Sequence, residues 1–168
     1  MPDLPGLRPS GDRCRETLFN WLQAQVPGAV CADLFAGTGS LGLEAASRGA
    51  QKAYMVDKNP VAVSHIDAAI DLLQASRAVA IEADALAWLS NFPHQGLDLV
   101  FVDPPFDEDL CPAIMELLAR KDCLRPGGFA YFETGAEQDP ILPAPGWVCW
   151  REKVISGVRL QLLRCPET

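Results

Sequence analysis

The chain has 168 residues, 49% of them apolar and 21% charged, with 14 basic and 22 acidic side chains and a net charge of −8. That length suits one domain with one sizeable core, and the composition excludes a disordered or low-complexity chain. The acidity argues against a polycationic nucleic-acid binder. Six cysteines contain no C-x-x-C pair and the only histidines are His65 and His94, so no metal site is expected. Reduced, structural cysteines in a cytoplasmic protein are the expectation, with no apolar run long enough to span a membrane and no signal peptide at the start.

Taken in chain order, Leu18, Phe19, Leu22 and Val26 recur at helical spacing and Pro27-Gly28 stops the run, which predicts an amphipathic helix at about 11–25. Ala29–Phe35 reads as a buried strand, 41–48 as a helix, 52–57 as a strand, and 60–75 as a helix with Pro60 in its first turn. A third strand at 78–82, a short helix at 85–89 and a fourth strand at 97–102 follow. A helix at about 110–121 and a strand at 128–133 lead to an antiparallel pair, 147–152 and 158–164, around Ser156-Gly157. Strands alternating with helices predict a parallel sheet covered on both faces, with ligands beyond the carboxyl ends of its strands.

Charge is uneven. Residues 98–140 carry ten acids against three bases, net −7, whereas 147–168 carry four bases against two acids, net +2. Arg8, Arg13 and Arg15 cluster near the N-terminus, so a polyanion would be met by the two ends of the chain.

The first strand runs into Asp33-Leu-Phe-Ala-Gly37-Thr-Gly39-Ser-Leu-Gly42, a G-x-G-x-x-G run with Asp57 twenty residues past its first glycine. This pattern lets backbone approach a cofactor while the acid holds a ribose hydroxyl. Asp33 would oppose a pyrophosphate there and would welcome a cation. S-adenosylmethionine, with a sulfonium, an ammonium and a ribose but no phosphate, matches both acids. Asp84, after the third strand, is placed either to accept from an adenine amine or to cap the following helix.

The fourth strand ends in Asp103-Pro104-Pro105-Phe106. Prolines stiffen the loop and leave carbonyls to accept. A carboxylate with a proline carbonyl makes a two-acceptor cradle for an exocyclic amine, and Phe106 offers a flat face to the ring that bears it. Pinning both amine hydrogens turns the nitrogen lone pair toward a methyl group, so transfer becomes a matter of placement.

With both strand ends in view, the chain resembles the class I S-adenosylmethionine-dependent methyltransferases that modify exocyclic amines. More narrowly, it resembles the bacterial 16S rRNA guanine-N2 methyltransferase family (the RsmD type). The segments that carry the resemblance are Arg8-Pro-Ser-Gly-Asp-Arg-Cys-Arg-Glu-Thr-Leu-Phe-Asn-Trp-Leu22, the glycine loop from Asp33 to Ala45, Asp103–Phe106 and Arg151-Glu-Lys153. The resemblance implies a single Rossmann-like domain with a mostly parallel seven-stranded sheet, an antiparallel C-terminal hairpin and helices on both faces. Residues 1–28 would be an N-terminal segment and helix packed on a methyltransferase domain of residues 29–168.

It further implies Asp33, Phe35, Gly37, Gly39, Asp57, Asp84 and Ala85 at the S-adenosylmethionine, and Asp103, Pro104, Pro105 and Phe106 at the target base. Arg8, Arg13, Arg15 and Lys153 would meet RNA. The implied substrate is a guanine of 16S rRNA in an assembled or assembling small subunit, modified by a cytoplasmic monomer. Met1–Leu7 precede Arg8 where the family usually carries a basic segment, and losing such an arm is expected to weaken rRNA binding more than cofactor binding. An adenine-N6 methyltransferase shares the cradle, and a nicotinamide-dependent oxidoreductase or a non-catalytic assembly module are further alternatives.

Overall fold

The computed structural model describes residues 9–105 and 107–167; Arg8 and Phe106 lie outside them. The elements in chain order are α1 (Pro9–Trp21), β1 (Val30–Asp33), α2 (Ser40–Ser47), β2 (Lys52–Asp57), α3 (Pro60–Leu73), β3 (Ala78–Glu82), α4 (Ala85–Ser90), β4 (Leu97–Val102), α5 (Cys111–Lys121), β5 (Leu124–Gly135), β6 (Val148–Ile155) and β7 (Val158–Arg164). Their strands form one seven-stranded sheet in the order β3-β2-β1-β4-β5-β7-β6. The pairs from β3 to β5 are parallel, and β7 is antiparallel to both β5 and β6. The expected fold class is therefore the observed one. Strand order reverses between β1 and β4, which opens a crevice at their carboxyl ends.

Two apolar layers sandwich the sheet. Cys31, Leu99, Phe101 and Tyr131 bury one face against Cys14, Leu18 and Phe19 of α1 and Leu22 just after it. Ala32, Val100, Val102 and Phe132 alternate to the other face and meet Ile114, Leu117 and Leu118 of α5. Met55 and Ile66 form a satellite cluster that seats α3. The third glycine of the loop serves this packing: a Cβ at Gly42 would collide with the Met55 side chain, so α2 lies close on β2 only because residue 42 has none.

Boundaries moved most, by four residues, at the end of α1 and the start of β5. α1 ends at Trp21 rather than near 25, yet turns continue the winding, with Val26 N–H donating to the Leu22 carbonyl at 3.1 Å. β5 begins at Leu124, four residues before the expected start, because a bulge absorbs Pro126 and two glycines. Leu97 pairs with Leu124, then Leu99 with Phe129, and Gly127 takes a φ of 77°. Ser156 (φ 49°) and Gly157 (φ 80°) make the tight β6–β7 turn. No described helix is long and apolar enough to cross a membrane.

Candidate active site

The glycine loop leaves β1 under tight backbone control. Leu34 N–H donates to the Phe101 carbonyl of β4 at 3.1 Å and Ala36 N–H to the Val56 carbonyl of β2 at 3.0 Å. Gly37 (φ 55°) and Gly39 (φ 82°) then take left-handed conformations that L side chains rarely adopt. A Cβ at Gly37 would meet nothing within 4 Å, so the loop presents bare backbone to open space there.

Asp57, at the end of β2, straps this loop. Its Oδ2 accepts from Gly37 N–H at 2.9 Å and its Oδ1 from Asn59 N–H at 2.9 Å. Each carboxylate oxygen keeps further acceptor capacity, so strapping the loop and binding a hydroxyl are compatible. Asp84 also has structural work, its Oδ2 capping α4 by accepting from Ala87 N–H at 3.0 Å. Ala83 N–H donates to the Asp57 carbonyl at 3.1 Å, which ties the two acid-bearing strand ends together. Ala85 is buried and Phe35 partly so.

Asp33 differs from the other two. It is only 2% exposed, its Oδ2 accepts from Gly42 N–H at 3.2 Å, and its Oδ1 has no hydrogen-bond partner. Burial pushes its carboxyl up to about 7; the Gly42 hydrogen bond opposes that rise and the Asp57 charge adds to it. A buried carboxylate oxygen without a partner is costly, and a cationic ligand would relieve that cost. This acceptor, the exposed glycine backbone and the partly exposed Asp57 fit the ammonium and ribose of S-adenosylmethionine.

Asp103 follows β4, whose Phe101 is registered against Asp33 of β1. The residue is therefore two positions beyond Asp33's neighbour, at the same sheet edge as the glycine loop, and it is partly exposed. Pro104 is buried and Pro105 exposed. The Pro105 carbonyl accepts from Glu108 N–H at 2.9 Å. A cleft of about 1000 Å3 opens beside the prolines and extends past Cys111, Glu133, Thr134 and Ile141.

The basic candidates divide. Arg13 is exposed on α1, whereas Arg15 is tied to Asp12 at 3.1 Å and Glu44 at 3.6 Å. Lys153 is exposed on β6, the edge strand that packs beside α1, and nearby Arg151 lies 4.0 Å over the Trp150 ring. Glu133 and Tyr131 escaped the sequence reading. Nothing short of the β4–β5 register would have singled them out.

The model of a family described as "Conserved hypothetical protein 95" matches residues 1–164. Ribosomal RNA small subunit methyltransferase D of Escherichia coli is 39% identical over 165 residues, 96% of this chain and 81% of that protein. The chain belongs to the ribosomal RNA small subunit methyltransferase D family. Among solved structures, a putative methyltransferase from E. coli superimposes with a TM-score of 0.89 at 33% identity, covering 99% of this chain and 90% of that one. A putative S-adenosylmethionine-dependent methyltransferase from Streptococcus mutans, at 13% identity and a TM-score of 0.76 over 95% of this chain and 50% of that one, shares the fold. Like its family, the chain is an S-adenosylmethionine-dependent methyltransferase.

Proposed function

We propose that the protein methylates the exocyclic N2 amine of a guanine in 16S rRNA, within an assembled or assembling small ribosomal subunit. The observation that supports this reading is that Asp103-Pro104 directly follows β4 and the glycine loop directly follows β1, neighbouring parallel strands whose carboxyl ends lie side by side. The names of the family's members support the RNA substrate. The same reading makes the protein a cytoplasmic one that acts as a monomer.

When bound, S-adenosylmethionine supplies an electrophilic methyl group on a sulfonium. Asp33 holds its ammonium, Asp57 its ribose, and Asp84 with Ala85 borders its base, while Phe35, Gly37 and Gly39 provide the floor. The Asp103 carboxylate and the Pro104 carbonyl accept the two hydrogens of the target amine. Phe106, in the same motif, would stack on the target ring. Holding both hydrogens takes the nitrogen lone pair out of conjugation with the ring and aims it at the reacting carbon. As the nitrogen gains charge its proton becomes acidic, and the Asp103 carboxylate can accept it without being a strong base. Extruding the base from its stack costs a few kcal/mol, which contacts of Arg8, Arg13, Arg15 and Lys153 with phosphates would help offset.

Mass mapping of small-subunit rRNA from cells lacking the protein, before and after it is added back, tests the reading. N2-methylguanosine should appear at one position. Appearance of N6-methyladenosine instead would replace this reading with the adenine-N6 one. Asp103→Ala should cut transfer at least about a hundredfold while S-adenosylhomocysteine affinity stays within a few-fold by calorimetry.

A further inference from the structure

Asp103 has a second carboxylate beside it. In the parallel β4–β5 pair, Phe101 faces Tyr131 and Val102 faces Phe132, where the ladder ends; Asp103 and Glu133 are the next residues along the two strands, and the Tyr131 phenol feels the charge of both. Alternation places both on the Phe101–Tyr131 face of the sheet. Glu133 Oε1 accepts from the Tyr131 hydroxyl at 2.7 Å, and that phenol is 1% exposed in the core. The carboxylate is thus anchored by a rigid buried donor. It is partly exposed, and the residue borders the cleft beside Pro104 and Pro105 at the end of the sheet, whose other walls, Cys111, Met115 and Ile141, belong to the opposite face.

An Asp-Pro-Pro cradle reads only an amine, which adenine, cytosine and guanine all carry. What separates guanine from adenine is the ring nitrogen beside that amine: guanine N1 bears a hydrogen, whereas adenine N1 is an acceptor. We propose that Glu133 is the guanine-specifying residue, its carboxylate accepting N1–H while Asp103 and the Pro104 carbonyl hold the N2 amine. This inference rests on the guanine-N2 reading above. Two adjacent carboxylates match a base edge made wholly of donors and repel one that places an acceptor between them. Tyr131 acts as a positioning residue by occupying one oxygen of Glu133 and orienting the other.

The test uses small subunits assembled on 16S rRNA carrying guanine or 2-aminopurine at the position found by mass mapping. 2-Aminopurine keeps the amine but presents an acceptor at N1. The wild-type protein should favour guanine in kcat/KM by roughly ten- to a hundredfold. Glu133→Gln, whose amide can donate to an acceptor N1, should lower that ratio tenfold or more, with melting temperature and S-adenosylhomocysteine affinity near wild type. Tyr131→Phe, which keeps the ring and removes the anchor, should lower the ratio less. An unchanged ratio in both variants, whatever happens to overall rate, overturns the role of Glu133 and leaves guanine-N2 methylation standing. Absence of N2-methylguanosine from the wild-type reaction overturns both.

Discussion

At Asp33 the fold keeps an acid at 2% exposure with one oxygen unsatisfied, a cost that makes sense if a cation completes the site. The group has consequences for pH. Its carboxyl rises from the ordinary 3.8 to about 7 on folding, chiefly through burial, so over that interval the folded chain binds more protons than the unfolded one. Stability must therefore fall as pH rises from about 4 to about 7, and affinity for S-adenosylhomocysteine should rise as the carboxylate ionises. Asp33→Asn removes the titration. It should flatten the stability profile across that interval and raise the melting temperature at pH 8, while weakening S-adenosylhomocysteine roughly tenfold, about 1.4 kcal/mol. Thermal melts across pH, paired with calorimetry, check both signs.

Among the elements, the turn from β1 into α2 depends on its neighbours more than on itself. Both oxygens of Asp57 receive backbone N–H groups, one from the glycine loop and one from the start of the β2–α3 connection. Asp57→Ala frees both and should cost about 1–2 kcal/mol of stability together with a loss of cofactor affinity, read as a lower melting temperature and a weaker calorimetric response. Most elements were legible in the sequence because their apolar periods are unambiguous: Ala78–Glu82 and Leu97–Val102 match to the residue. The start of β5 was not. Pro126-Gly127-Gly128 reads locally as a turn; pairing with β4 and hydrogen bonds to the chain end, among them Cys165 N–H to the Gly128 carbonyl and Gly127 N–H to the Pro166 carbonyl, keep it in the sheet. The Asp12 partner of Arg15 lies three residues away in the sequence, whereas its Glu44 partner is met only once α1 packs beside α2.

For the whole molecule, charge is segregated about the cleft. The loop after β4 brings Asp107, Glu108 and Asp109 to its wall, a surface hostile to phosphates. Arg13 on α1 and Arg151 and Lys153 on β6 lie on adjoining elements away from it. An RNA backbone would therefore track the cationic side and send only a base toward Pro104. Arg13→Glu combined with Lys153→Glu should weaken binding to small subunits and lower the slope of log affinity against log salt by about one for each phosphate no longer neutralised. S-adenosylhomocysteine affinity should not change; filter binding across a salt series reads the first effect and calorimetry the second.

The order of helices and strands and the class of cofactor were written locally, in apolar periodicity and in glycine spacing. Each of those signals is a property of neighbouring residues and survives without knowledge of the fold. That the end of β4 lies beside Asp33 on one side and that its Phe101 and Val102 lie opposite Tyr131 and Phe132 on the other depend on how segments distant in the chain are brought together. Only tertiary pairing sets that register, because a strand's own sequence specifies which side chains share a face but not which residue of another strand lies opposite.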